Sequence, residues 1–399
     1  ARAVTAGVAK HTPIISSVAL SEQTGATIVL KAESLQRTGA FKIRGAMNKL
    51  AALGAAAARG VTAGSAGNHA QALAFAARHF GVPCDIFVPE GAAISKIEAC
   101  RSYGATVVES GASLDEAMAT ARQWAADHDV AFCHPFDDPA VIAGQGTLGL
   151  ELIEDVADLT LVVVPLGGGG LAAGTAIAVK SQRPDVRVVG VQAELCAPFA
   201  GAATTRGPVL TLADGIAVKR PGELTRPLVE RWLDDVVVVG EDAIADAMVL
   251  LMDRAKLYVE GAGAVGVAAL RSGVVAPATE GTTCVVLSGG NVDLGVVPGL
   301  IRRHETQAGR RLVVFARIDD RPGGLVRLLS VFAAAGANLI EVEHHREGLD
   351  LHVRQTAVHA TFEVRSAEHA QEAVAAAQAA GYADLVVEGG HVSRLPTGR

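Results

Sequence analysis

The sequence predicts an α/β protein built from two doubly wound α/β subdomains and a smaller sandwich of strands and helices behind them. Three observations carry this. Apolar stretches of strand length alternate with helical patterns through the first 300 residues, the order that builds parallel sheets covered on both faces. The 399 residues include 44 glycines, with 50% hydrophobic and only 4% aromatic residues, which suits tight strand-to-helix turns around a core of Ala, Val, Leu and Ile. Beyond the charged run Ile301 to Arg311 the order changes to βαββαβ.

In order, Ala26 to Glu33 reads as a strand, Phe41 to Ala57 as a helix and Gly60 to Ala63 as a short strand ending in Ser65-Ala66-Gly67-Asn68-His69. Helix Ala70 to Phe80, strand Cys84 to Val88, helix Ser95 to Tyr103, strand Thr106 to Glu109, helix Leu114 to His128 and strand Val130 to Cys133 follow. Helix Pro139 to Val156 leads to strand Leu159 to Val164, a glycine loop, helix Leu171 to Ser181 and strand Val186 to Gln192. A long loop from Glu194 to Pro221, punctuated by Gly201, Gly207, Pro208 and Gly215, has the length of a functional segment. Strand Val236 to Val239, helices Asp242 to Leu257 and Ala262 to Ser272, and strand Thr283 to Leu287 complete this part. The expected division is a catalytic region over 1–300 with a smaller subdomain inserted at about 60–137, a linker over 301–311 and a third domain over 312–399. In the last, strands at Leu312 to Ile318, Asn338 to His345, Leu351 to Val364 and Leu385 to Glu388, with helices at Gly323 to Ala335 and Ala367 to Ala380, make a ferredoxin-like sandwich.

A net charge of −7 without a basic block argues against nucleic acid as a partner. Five scattered cysteines, with no CxxC pair, favour reduced, buried thiols in a cytoplasmic protein. Leu159 to Val179 carries no charge, but Pro165 and four consecutive glycines fit a strand, loop and helix better than a membrane span.

Four stretches carry chemistry. Lys42 opens a helix after Gly39-Ala40-Phe41, where desolvation and the positive end of a helix both disfavour an ammonium and leave a nucleophilic amine. Gly167-Gly168-Gly169-Gly170, between an apolar strand and a helix, offers bare N–H groups to an anion such as phosphate. It is not GxGxxG, which speaks against a dinucleotide. The turn Ser65-Ala66-Gly67-Asn68-His69 presents N–H groups to a carboxylate and Asn68 to a ring oxygen. Ser288 stands at the end of a third buried strand. Together they fit a pyridoxal phosphate site.

FKIRG around Lys42, SAGNHAQ from Ser65, GGGGL from Gly167 and LSGGN from Leu287 resemble, in order, the motifs of fold type II pyridoxal-phosphate enzymes of the threonine and serine dehydratase branch, with its tryptophan-synthase β-like fold. DDRPGGL from Asp319 and ANLI from Ala337 resemble an ACT domain, a regulatory amino-acid-binding module. The resemblance implies that Lys42 carries the Schiff base, Phe41 lies against the ring, Asn68 bonds the ring oxygen, Gly167 to Leu171 hold the phosphate and Ser288 faces the pyridine nitrogen. It implies substrate contacts from Ser65, Ala66, Gly67, Asn68 and His69, and loss of ammonia from L-threonine and L-serine as the first step toward isoleucine. Racemase relatives carry a serine where this chain has Ala66, which ranks a serine racemase below a threonine or serine dehydratase. Glu194 matches a cation ligand of some relatives but Ala200 occupies the later acidic position, so no metal is assigned. Asp214 and Glu260 fit the pattern as support. The resemblance also implies a homotetramer with isoleucine or valine as effector near Arg321 to Leu325 and Ala337 to Leu339. The alternative outside enzymology is an amino-acid sensor with an inactive core.

Overall fold

A computed structural model describes residues 1–201, 210–346 and 351–388, so Gly207 and Pro208, read above as loop punctuation, lie outside the described residues. The chain forms two units, Ala1–Asp293 and Leu294–Arg399.

The first unit opens with α1 (Arg2–Thr5), β1 (Ile14–Ser16), α2 (Val18–Thr24), β2 (Thr27–Ala32) and α3 (Lys42–Leu53). A small sheet follows from β3 (Val61–Gly64), α4 (Asn68–Phe80), β4 (Cys84–Val88), α5 (Ile94–Ser102), β5 (Thr106–Glu109), α6 (Leu114–His128) and β6 (Ala131–Phe132). Then α7 (Pro139–Asp155), β7 (Leu159–Pro165), α8 (Gly170–Gln182), β8 (Arg187–Ala193), α9 (Thr225–Trp232), β9 (Asp235–Val239), α10 (Glu241–Leu250), α11 (Gly261–Arg271) and β10 (Thr282–Leu287) complete it.

The large sheet runs β1-β2-β10-β7-β8-β9 and the small one β5-β4-β3-β6. Every described pairing in them is parallel except β1 with β2. Strands β3 and β10 are buried at every residue and β7 at all but one, which is why they read as unbroken apolar runs. Helix α3 packs on α4 from the small sheet and on α7. The chain re-enters through α7, whose start is fixed by Asp138, accepting from the N–H groups of Ala140 and Val141, and by Pro139 in the first turn.

In the second unit, α12 (Val297–Gln307), β11 (Arg311–Asp319), α13 (Gly324–Ala334), β12 (Asn338–His345), β13 (Gln355–Glu363), α14 (Ala367–Ala379) and β14 (Val386–Glu388) form an antiparallel sheet β12-β13-β11-β14 with helices against it. Phe332 and Phe362 stack at 4.3 Å in its core. Strand β12 is an edge, exposed at every residue, and shows Leu339, Ile340 and Val342.

Several expectations change. The run Ile301 to Arg311, expected as a linker, is helical to Gln307, because Val297 and Leu300 are buried and the charges sit on the other side. The helix expected over Asp242 to Leu257 ends at Leu250 and widens into a π-turn, Leu251–Ala255. Helix α3 stops at Leu53, where Gly54 adopts φ +52°. The strand expected from Leu351 begins at Gln355. Elements β1, α2 and α9 have no counterpart in the sequence pattern.

Candidate active site

The motif turns lie at the carboxyl ends of parallel strands β3, β7 and β10, where open α/β sheets gather ligands. Lys42 is brought there by a short zipper. The Phe41 N–H donates to the Ser288 carbonyl at 3.1 Å, the Gly290 N–H to the Gly39 carbonyl at 2.8 Å, and Ala40 bridges Gly289. The turn needs Gly39 at φ +72° and also holds Thr38 at φ +61°. A β-branched residue in that region costs about 1–2 kcal/mol, so packing around the site imposes it.

Lys42 Nζ donates to the Pro135 carbonyl at 2.8 Å and stands 5.2 Å from the centre of the Phe41 ring. Desolvation in the cleft pushes the amine down to about 8, against the Glu260 carboxylate, which favours the charged form. The nucleophilic form is therefore within reach near neutrality.

Gly167 to Gly170 turn from β7 into α8, and all four are buried. Among the described residues, the N–H groups of Gly168, Gly169, Gly170 and Leu171 have no acceptor. Buried N–H groups at a helix start, left free by the protein, make an anion site. The loop is also tightly backed: a Cβ on Gly168 would come 2.3 Å from the Phe136 ring, and one on Gly170 2.9 Å from the Phe136 carbonyl. The Thr225 hydroxyl donates to the Gly168 carbonyl at 2.6 Å, and Asp137 accepts from the N–H groups of Glu223, Leu224 and Thr225. Gly168→Ala should displace Phe136 and weaken pyridoxal phosphate binding by about tenfold or more, which equilibrium dialysis measures.

Opposite this loop, Asn68 opens α4. Its Nδ2 donates to Glu260 Oε1 at 2.7 Å, and its Oδ1 accepts from Asn291 Nδ2 at 2.7 Å. Glu260 is buried, and burial, reinforced by nearby Asp214, pushes its carboxyl up to about 7. Ser288 is 2% exposed. Of the five residues from Ser65 to His69, Asn68 is the one lining the cleft. The His69 ring turns away to donate to the Cys133 carbonyl at 2.9 Å, and burial, with Lys42 adding, lowers it to about 3. What His69 and Asn68 leave free are backbone N–H groups at the start of α4, without acceptors among the described residues. Glu260 and Asn291 are the residues sequence reasoning underrates: the first reads there as structural support, and the second carries no role.

Behind Lys42, α3 is anchored by charge. Arg44, 1% exposed, holds Glu33 through Nε at 2.9 Å and Nη2 at 2.8 Å, and Glu151 through Nη1 at 2.6 Å and Nη2 at 2.9 Å. Lys31, fully buried, joins Glu151 at 2.7 Å and Asp155 at 3.1 Å. Both sides of the pairing are satisfied, as buried charges require.

The cleft thus gathers Phe41, Lys42, Asn68, the four glycines and Leu171, Glu260 and Ser288 around one pocket that opens to solvent. An amine of lowered pKa, a row of free N–H groups and an aromatic face are the complement of an aldehyde, a phosphate and a ring, so the residues present fit pyridoxal phosphate. This fold and cleft define an enzyme of that cofactor: the chain belongs to the pyridoxal-phosphate dependent enzyme family, whose model matches residues 6–289. The L-threonine ammonia-lyase of Geobacter sulfurreducens is 45% identical over 380 residues, 94% of each chain. Among solved structures, maize serine racemase has 35% identity and a TM-score of 0.71, covering 76% of this chain and 95% of that one. The processed form of threonine deaminase isoform 2 from Solanum lycopersicum has 33% identity and a TM-score of 0.69, covering 74% and 83%.

Proposed function

We propose that this chain is a threonine ammonia-lyase, converting L-threonine to 2-oxobutanoate and ammonia and L-serine to pyruvate and ammonia. The observation that carries the reading is the Lys42 amine, lowered to about 8, in one cleft with four free N–H groups of the glycine loop. The identity with an L-threonine ammonia-lyase across 94% of both chains supports the substrate.

Pyridoxal phosphate, when bound, supplies the electron-withdrawing ring that makes the Cα proton of an amino acid removable. Lys42 would hold its aldehyde and, once displaced by the substrate amine, take the Cα proton at Nζ. Gly167 to Leu171 would bind the phosphate, Phe41 would lie on the ring, and Ser288 would meet its nitrogen with a hydroxyl, which leaves that nitrogen unprotonated and favours expulsion of a β-leaving group. The N–H groups of Ala66, Asn68 and His69 would orient the substrate carboxylate, while that of Ser65 is taken by the Phe87 carbonyl and that of Gly67 by the Ser65 hydroxyl. Ala66 offers no hydroxyl to return a proton from the opposite side, which disfavours racemisation.

The unit Leu294–Arg399 is assigned a regulatory role, with an aliphatic amino acid, isoleucine or valine, as effector near Arg321 to Leu325 and Ala337 to Leu339. A second copy would cover the open edge β12 and its exposed Ile340, in a tetramer. Five buried free thiols suit a reducing cytoplasm. The test is 2-oxo acid production from threonine and serine, with and without isoleucine and valine. Absence of 2-oxobutanoate from threonine would reject the reading.

A separate expectation follows from the amine. Uptake of pyridoxal phosphate by cofactor-free protein should quicken as pH rises, with its midpoint near pH 8 and a plateau about one unit higher, since only neutral Lys42 reacts. Growth of the visible absorbance band measures it, and a flat profile would exclude Lys42 as the reacting amine.

A further inference from the structure

We infer that Asn291 is a positioning residue that fixes Asn68 as a hydrogen-bond donor to the cofactor's ring oxygen, through a one-way chain running from the strained Thr38 carbonyl to Glu260. This rests on the proposed placement of the ring beside Asn68.

The direction of the chain is set by atoms that have no choice. The Thr38 carbonyl only accepts, and it accepts from Asn291 Nδ2 at 2.8 Å. The same nitrogen gives its other hydrogen to Asn68 Oδ1 at 2.7 Å. Asn68 therefore turns its NH2 the other way, and one hydrogen goes to Glu260 Oε1 at 2.7 Å. The remaining hydrogen belongs to a residue lining the cleft. A flipped Asn68 would set NH2 against NH2 at Asn291, whose own direction is fixed by the Thr38 carbonyl, so the chain excludes it.

The backbone before Lys42 is shaped for this. Thr38 lies at φ +61° and its buried hydroxyl has no partner, so the conformation is not held by its own side chain. What the conformation delivers is the carbonyl that Asn291 requires. Gly39 beside it has no Cβ where one would meet Asn291 Oδ1 at 2.4 Å. Glu260 is held from its own side, with its N–H donating to the Gly289 carbonyl at 3.1 Å. The loop that presents the reactive lysine and the amide that polarises the ring are therefore parts of one hydrogen-bonded unit. A donated N–H withdraws charge from the ring oxygen and lowers the proton affinity of the nitrogen linked to Lys42.

The test is the absorbance of the cofactor-loaded protein followed across pH. In Asn291→Ala the donor is no longer held, and in the nearly isosteric Asn291→Asp it is turned away, because a carboxylate draws the Asn68 NH2 to itself. The pH midpoint of the band should rise by about one to two units, further in the Asp variant than in the Ala variant. If Asn291 only fills space, melting temperature and cofactor affinity will fall while the midpoint stays where it is. That result in either folded variant overturns the inference, and where the Ala variant does not fold the Asp variant decides. Lys42→Ala separates the two levels: a protein-linked band that survives it rejects the cofactor placement itself, whereas a band that disappears leaves the Asn291 series as a test of positioning alone.

Discussion

Lys42→Ala is expected to lower threonine deamination by at least about 10³-fold, because it removes both the attachment point of the cofactor and the base at Cα. The visible band of the linked cofactor should vanish with it, while melting of the cofactor-free protein changes little. The side chain is half-buried and its one described hydrogen bond runs to a backbone carbonyl, Pro135, so its removal breaks no described ion pair. The measurement is 2-oxobutanoate formation beside the absorbance spectrum. A variant that keeps more than a small fraction of wild-type turnover would show that another group does the proton transfer.

Arg44→Leu is expected to have the largest effect on stability, about 3–5 kcal/mol by urea unfolding at neutral pH. It leaves Glu33, 0% exposed, without the guanidinium that binds both its oxygens. The pH dependence has a definite sign. In the native protein, burial acts to raise the Glu33 carboxyl, but Arg44 outweighs it and holds the group below its ordinary 4.5. That stabilisation is complete above about pH 4.5 and is lost as pH falls toward the depressed value. In the variant burial is opposed only by the Thr12 hydroxyl and by Lys31, so Glu33 is raised relative to the native protein and the protein gains stability as acid neutralises it. The gap between the two proteins should therefore be widest at neutral pH and narrow toward pH 4. A gap constant with pH would assign the loss to packing rather than charge.

The core of the first unit was legible because parallel strands are apolar on both faces. Strands β4 and β5 and helix α6 begin and end where the pattern places them. The Lys42, glycine and serine turns were legible because each follows such a strand or opens a helix with little else to explain its residues. Helix α9 was not, because its start is capped by Asp137, far back in the chain, rather than by a neighbour. The charged run after Ile301 concealed a helix because only Val297 and Leu300 mark its inner side. His69 was expected at the substrate as part of the Ser65 to His69 turn; its ring is spent on the Cys133 carbonyl, and what it offers is its backbone N–H, without an acceptor among the described residues. Glu260 and Asn291 could not be ranked from sequence, since their importance arises only when β10, α11 and α4 bring them to Asn68.

The glycine loop has one more consequence, which concerns how far this enzyme can be re-engineered. Each of its four positions is closed from behind: an added methyl would meet Ile216 from Gly167, Phe136 from Gly168 and Gly170, and Thr225 from Gly169, all within 3.0 Å. Across the cleft, the same addition at Gly67 meets nothing within 4 Å. A randomised library should thus return near-parental sequences on the coenzyme side and tolerate diversity beside Ala66. New substrate ranges are to be sought on that wall, with the anion cradle left untouched.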